Sequence, residues 1–112
     1  MSNAEIVRAT VAAYQAQDRA AIEALLAEDY VFTSPQDDHI DRAAYLERCF
    51  PTADRFVEQR IVHLVEVGAD EVFLLYEYEL VGGGRYRNAE VATVRDGRLT
   101  ETQVFFGGRV PE

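Results

Sequence analysis

From Phe56 to Phe106 the chain alternates apolar and polar residues, interrupted at Gly68-Ala69-Asp70, Gly82-Gly83-Gly84 and Asp96-Gly97. The runs between these breaks are dense in Val, Ile, Phe, Tyr, Leu and Thr, side chains that suit a pleated, half-buried surface. The breaks carry the Gly and Asp that tight hairpins require. A curved antiparallel sheet follows, with the rest of the chain as the cover for one of its faces.

Turns set register, and register sets which side chains share a face. A two-residue turn at Asp96-Gly97 pairs Arg95 with Arg98, Val94 with Leu99, Glu90 with Gln103 and Asn88 with Phe105. Symmetric closure of the glycine run pairs Leu80 with Tyr86, Tyr78 with Asn88 and Tyr76 with Glu90. A four-residue connection from Gly68 to Glu71 pairs Val67 with Val72, Ile61 with Tyr78 and His63 with Tyr76. A polar row His63, Tyr76, Glu90, Gln103 then crosses a face otherwise made of residues such as Ile61, Leu74, Ala92 and Phe105, the setting of a pocket. On the other face Glu77 and Glu79 oppose Arg87 and Arg85. Beside them Leu75, Ala89, Val91, Thr102, Val104 and Phe106 form a strip suited to a subunit contact, because a sheet buries both faces only with a second layer.

The segment before the sheet supplies helices. Ile6, Ala9, Thr10, Ala13 and Tyr14 recur at helical spacing over 5–17, with Ser2 or Asn3 as N-cap. Asp18 caps a second helix over 19–26 with Ile22, Leu25 and Leu26 facing inward. Tyr30 to Thr33 is a short strand, and Ser34-Pro35-Gln36-Asp37-Asp38 breaks it, since proline cannot donate to a ladder. Asp41 caps a third helix over 42–50, which Pro51 ends. The tail after Phe106 reads as irregular.

Composition narrows the function classes. With 112 residues, 48% hydrophobic and 28% charged, the chain has the length and make-up of a single domain spanning 1–112. A net charge of -9 argues against nucleic acid, whose phosphates need neutralising cations. Cys49 is the only cysteine, which forbids an internal disulfide and fits a reducing compartment. No apolar run reaches the roughly 20 residues of a bilayer span, and the start lacks a charged region followed by an apolar core. A cytoplasmic protein with no membrane partner is the expectation.

Two helices, a short strand, a third helix and a long meander is the order of the NTF2-like fold, an α+β cone of helices and a bent sheet around a cavity. The opening from Ala12 through Asp18, Ala24-Leu25-Leu26 and Asp29-Tyr30-Val31-Phe32 resembles the two-helix entry of its SnoaL-like branch. Asn88-Ala89-Glu90-Val91, Val94-Arg95-Asp96-Gly97-Arg98-Leu99 and Phe105-Phe106-Gly107 are similar to its closing hairpin. The resemblance spans nearly the whole chain and implies fold more than function, because one fold hosts many chemistries. Limonene epoxide hydrolase-like members end the last strand with an Arg-Asp-Tyr-Phe-type segment whose Asp serves catalysis; here that place holds Gln103-Val104-Phe105-Phe106. Polyketide cyclase-like and ketosteroid isomerase-like members use a pocket carboxylate for proton transfer beside a carbonyl, a part the resemblance offers to Glu90, Asp37 or Asp38.

A carboxylate in an apolar cavity is desolvated and titrates nearer the range useful to an acid or base. Glu90 is therefore the first catalytic candidate, Tyr76 a donor to a developing oxyanion and His63 an orienting group. Gln103, Asn88, Tyr78 and Phe105 on the sheet, Asp37 and His39 in the loop, and Tyr14 and Tyr30 beneath the helices complete the candidate ligand-binding set. Each has a plainer account: Glu90 as a hydrogen-bond acceptor within the sheet, the histidines as solvated groups, Tyr14 and Tyr45 as core. Asp37, Asp38 and His39 are adjacent and lack a spaced partner cluster, so no metal is expected, and Cys49 reads as a packing residue. The expected ligand is a small, largely apolar molecule, handled without a cofactor by a homodimer. The alternative is a dimeric ligand-binding or scaffold protein without turnover, or a structural protein with Tyr14, Tyr30 or Phe32 plugging the cavity.

Overall fold

The computed structural model describes residues 1–111. Helix α1, Asn3–Ala16, starts in a reciprocal cap: the Ser2 hydroxyl accepts from the Glu5 N–H and the Glu5 carboxylate accepts from the Ser2 N–H. Gln17 takes a left-handed conformation to end it, and Asp18 caps α2, Arg19–Leu25, through the Ala21 N–H. Strand β1, Leu26–Thr33, follows α2 directly and is longer than the Tyr30–Thr33 segment expected. The short β2, Ile40–Asp41, leads into α3, Arg42–Arg48, capped by Asp41. The third helix stops earlier than expected, and Pro51 opens a 3-10 turn, Phe50–Arg55, rather than closing α3.

The remaining strands are β3, Phe56–Val67; β4, Glu71–Leu80; β5, Arg85–Arg95; and β6, Arg98–Arg109. They form a six-stranded sheet in the order β2-β1-β6-β5-β4-β3, with β1 parallel to β6 and every other pair antiparallel. Fold class is α+β, three helices on a mixed sheet. The helices cover the inner face, where Ile6, Val7 and Ile22 pack with Val72, Leu74, Ala92 and Val94. Among the described residues no helix is long and apolar enough to cross a membrane.

The hairpin turns fall where the sequence puts them, but the registers beyond them shift. Asp96 and Gly97 both have positive φ, as a two-residue hairpin turn requires, and Arg95–Arg98 and Val94–Leu99 pair as expected. A bulge then leaves Thr100 unpaired, so Val104, not Gln103, lies opposite Glu90, and Phe106, not Phe105, opposite Asn88. The connection after β3 has three residues rather than four, which pairs Val67 with Glu71 and His63 with Leu75, and a second irregularity between Ile61 and His63 then sets Ile61 opposite Tyr76. Between β4 and β5, Tyr76 meets Asn88 and Leu74 meets Glu90, a shift of two that leaves the faces unchanged.

The tail is ordered as well. Strand β6 runs to Arg109, and the Val110 N–H donates to the Arg85 carbonyl at 2.8 Å. Gly107 makes this possible, because a Cβ there would strike the Arg87 carbonyl oxygen.

Candidate functional site

The helices do not fill the space above the sheet. A cavity of about 680 Å³ remains, with Tyr14, Tyr30, Tyr45 and Phe32 in its wall rather than across it. Aromatic rings line it in edge-on and stacked contacts: Tyr30 with Tyr45 at 5.2 Å, Phe56 with Tyr78 at 5.2 Å, and Tyr78 stacked on Tyr86 at 5.6 Å.

Glu90 reaches this cavity from the middle of β5. Its cross-strand neighbours are Leu74 and Val104, both apolar, and no ion pair reaches its carboxylate among the described residues. Loss of hydration pushes its pKa from 4.5 up to about 7, held back in part by hydrogen bonding from Tyr76. Burial, then the Glu90 charge, raises the pKa of both Tyr45 and Tyr76 far above the usual tyrosine value. Both phenols therefore stay protonated and able to donate.

The polar groups of the sheet form a directed series. The Tyr78 hydroxyl donates to Asn88 Oδ1 at 3.4 Å, and Asn88 Nδ2 donates to Tyr76 Oη at 3.3 Å. With an acceptor site of Tyr76 thus occupied, its own proton is free to point at Glu90 or at a ligand. Asn88 is nearly fully buried, so this network holds Tyr76 in place. On the opposite wall the Thr52 hydroxyl donates to the Cys49 carbonyl at 2.7 Å, so Tyr14 must be the donor in its 2.6 Å contact with Thr52.

Of the residues singled out from sequence, Glu90, Tyr76, Asn88, Tyr78, Asp37, Tyr14 and Tyr30 meet around the cavity. The row His63, Tyr76, Glu90, Gln103 does not form. His63 pairs with Leu75 on the outer face and is exposed; Gln103 and Phe105 pair with Val91 and Ala89 on that face. His39 is exposed in its loop, its ring against the neighbouring Asp38 carboxylate at 2.6 Å. Conversely, Thr102, Val104 and Phe106, assigned from sequence to the outer strip, line the cavity. The extra residue at Thr100 accounts for the exchanges on β6, and a β3–β4 connection one residue shorter than expected accounts for that of His63, because side chains alternate faces with a period of two.

The sequence reading also passed over Arg48, Thr52, Arg55, Phe56 and Gln59, which line the cavity from α3, the 3-10 turn and the start of β3. For Thr52 and Arg55 the signal was the short Cys49-to-Arg55 connection, whose polar residues must face either solvent or the cone mouth. Cys49 also reaches the wall. Burial, then the Asp37 carboxylate to which its thiol donates at 3.8 Å, pushes its pKa up to about 11, so it is a thiol and no nucleophile at neutral pH. Among the described residues no three His, Cys, Asp or Glu side chains gather as metal ligands.

Solved structures with this architecture are numerous and distant in sequence. A protein from Kribbella flavida has a TM-score of 0.80 at 24% identity, over 91% of this chain and 84% of its own. An LEH-like epoxide hydrolase from M. tuberculosis has a TM-score of 0.71 at 23% identity, over 91% and 80%. A hypothetical protein from Catenulispora acidiphila with a ketosteroid isomerase-like fold, solved with trimethylamine, has a TM-score of 0.71 at 19% identity, over 95% and 87%. At such identities the likeness is one of fold. No curated protein matches the chain. Residues 7–102 match the SnoaL-like domain, and the chain, with its NTF2-like architecture, belongs to that family.

Proposed function

We propose that the cavity binds a small, largely apolar molecule and that Glu90 transfers a proton to or from it without a cofactor. The observation that carries this reading is a lone carboxylate between Leu74 and Val104, with its pKa raised to about 7, in an open and mostly aromatic cavity. Such a group is divided between base and acid at neutral pH, the condition general acid–base catalysis favours. In the simplest step, ionised Glu90 takes a proton from a carbon beside a carbonyl. The C–H electron pair moves into the C=C–O⁻ system, the oxyanion accepts a hydrogen bond from Tyr76, and Glu90 returns the proton to the same or the conjugated carbon. Tyr78 and Asn88 act as positioning residues for Tyr76.

The protein acts in this reading as a homodimer in a reducing compartment such as the cytoplasm, which suits its lone free thiol. The contact surface is the outer sheet face, now with Val65, Phe73, Leu75, Ala89, Val91 and Phe105 in place of the strip drawn from sequence.

Deuterium exchange at the α-carbon of 2-tetralone, an apolar bicyclic ketone, tests the chemistry without knowledge of the natural substrate. The protein is expected to accelerate exchange with a rate that rises with pH and levels above about 7, and Glu90→Gln is expected to abolish the acceleration while keeping its fold. Equal acceleration by the variant would remove Glu90 from the mechanism. A folded protein that binds the ketone without accelerating exchange would leave a ligand-binding protein as the better account.

A further inference from the structure

The charges around the cavity differ from those of the rest of the protein. The chain carries a net charge of -9, yet the acidic groups in the cavity wall are Asp37 and Glu90 alone. Arg48 lies 3.6 Å from Asp37, so those two neutralise one another. Arg60 directs its guanidinium to Glu77, 3.4 Å away. Arg55, at the end of the 3-10 turn, also lines the cavity, and no carboxylate among the described residues pairs with it.

Arg55 is an exposed residue at the edge of the cavity, and its backbone is anchored. Its carbonyl accepts from the Val81 N–H at 2.9 Å, tying the end of the turn to the end of β4, and Phe56, the next residue, places its ring against Tyr14 and Tyr78 in the aromatic wall. The positive charge is felt inside: it favours the ionised forms of Tyr14 and Cys49, both in the same wall. An uncompensated guanidinium at the rim of an aromatic cavity, in a protein this acidic, is a site for an anion joined to an apolar body.

We propose that the ligand is an amphipathic carboxylic acid, its carboxylate held by Arg55 at the cavity rim and its apolar body extending inward toward Glu90. This rests on the reading of the cavity as a ligand site and adds the chemical class of what enters it. Recognition divides accordingly: Arg55 fixes one end, the rings of Phe56, Tyr78 and Tyr86 grip the body, and the far end meets Glu90 and Tyr76. A guanidinium provides paired N–H donors for a carboxylate, whereas a neutral amide in the same place gains no charge-assisted bond.

The test uses two probes of equal shape, 2-naphthylacetate and 2-naphthylacetamide, titrated calorimetrically into the folded protein, with methyl NMR shifts at Ala92 inside and Val65 outside locating the site. The acid is expected to bind about ten-fold or more tightly than the amide, the scale of one charge-assisted hydrogen bond, and to weaken with added salt. Arg55→Met should bring the acid down to the affinity of the amide and leave the amide unchanged. Arg98→Met, which removes an exposed arginine at the β5–β6 turn, should alter neither. Equal binding of both probes inside the cavity, or a loss for both in Arg55→Met, would overturn the anion site while the cavity remained a ligand site. If neither probe perturbs Ala92, the anion site falls together with the reading on which it rests. Arg55 forms no side-chain hydrogen bond among the described residues, so the variant should fold, and the salt dependence of the unmodified protein supplies an independent readout.

Discussion

Glu90 has a cost in stability that the proposed proton transfer would explain. Its folded pKa of about 7 lies above the ordinary 4.5, so the folded state holds the proton more tightly than the unfolded chain does. Below about pH 4.5 both states are protonated and the group costs nothing. Between 4.5 and about 7 the unfolded chain ionises first, and stability falls as pH rises; above 7 the full penalty applies, at most about 3 kcal/mol for this shift. Glu90→Gln, which cannot ionise, should therefore unfold at nearly the same temperature as the unmodified protein at pH 4 and at a clearly higher one at pH 8. Calorimetric scans across that range check it, and a gap independent of pH would mean that the carboxylate is not desolvated. The same substitution is expected to remove catalysis, so a gain in stability with a loss of activity would mark Glu90 as a residue kept for function.

Gly107 shows how a single atom fixes the end of an element. Its backbone lies against the Arg87 carbonyl, at the irregular stretch where β6 shifts register between Asn88–Phe106 and Tyr86–Arg109. Gly107→Ala should cost about 1–3 kcal/mol, as overpacking does, and release the Val110-to-Arg85 bond. Gly82→Ala, where the space is open and φ is ordinary, should be neutral or slightly stabilising. Thermal unfolding of the two variants side by side separates a steric demand from a general preference for glycine in turns. The hairpins themselves were legible, because Asp96-Gly97 and the glycine run advertise their turns. So were the caps at Ser2, Asp18 and Asp41. The bulges at Val62 and Thr100 were not, since neither carries Gly, Pro or Asn to mark an extra residue. The Thr100 bulge carried Gln103 and Phe105 across the sheet and the shorter β3–β4 connection carried His63, both odd shifts, whereas Glu90 and Tyr76 kept their face because the β4–β5 shift was even.

The two faces of the sheet make different demands on the assembled protein. The inner face is covered by its own helices. The outer face leaves Val65 and Phe105 each 53% exposed, beside Phe73, Leu75, Ala89 and Val91 and next to the ion pairs of Glu77 with Arg87 and Glu79 with Arg85. A contiguous apolar surface rimmed by charge is suited to a second sheet of the same kind. Two chains of net charge -9 repel at long range, and salt screens that repulsion without weakening apolar burial. A homodimer formed through this face should therefore tighten as salt rises, opposite to the behaviour expected of the carboxylate probe at Arg55. Sedimentation equilibrium of the 12.6 kDa chain should give twice that mass, and Phe105→Glu should give the single-chain mass with the cavity and its ligand binding unchanged, since Phe105 faces away from Glu90. If the unmodified protein sediments as a single chain at high salt, the outer face is not a dimer surface. If Phe105→Glu is monomeric but loses exchange activity, the two faces are coupled through the sheet and the dimer is part of the catalytic unit.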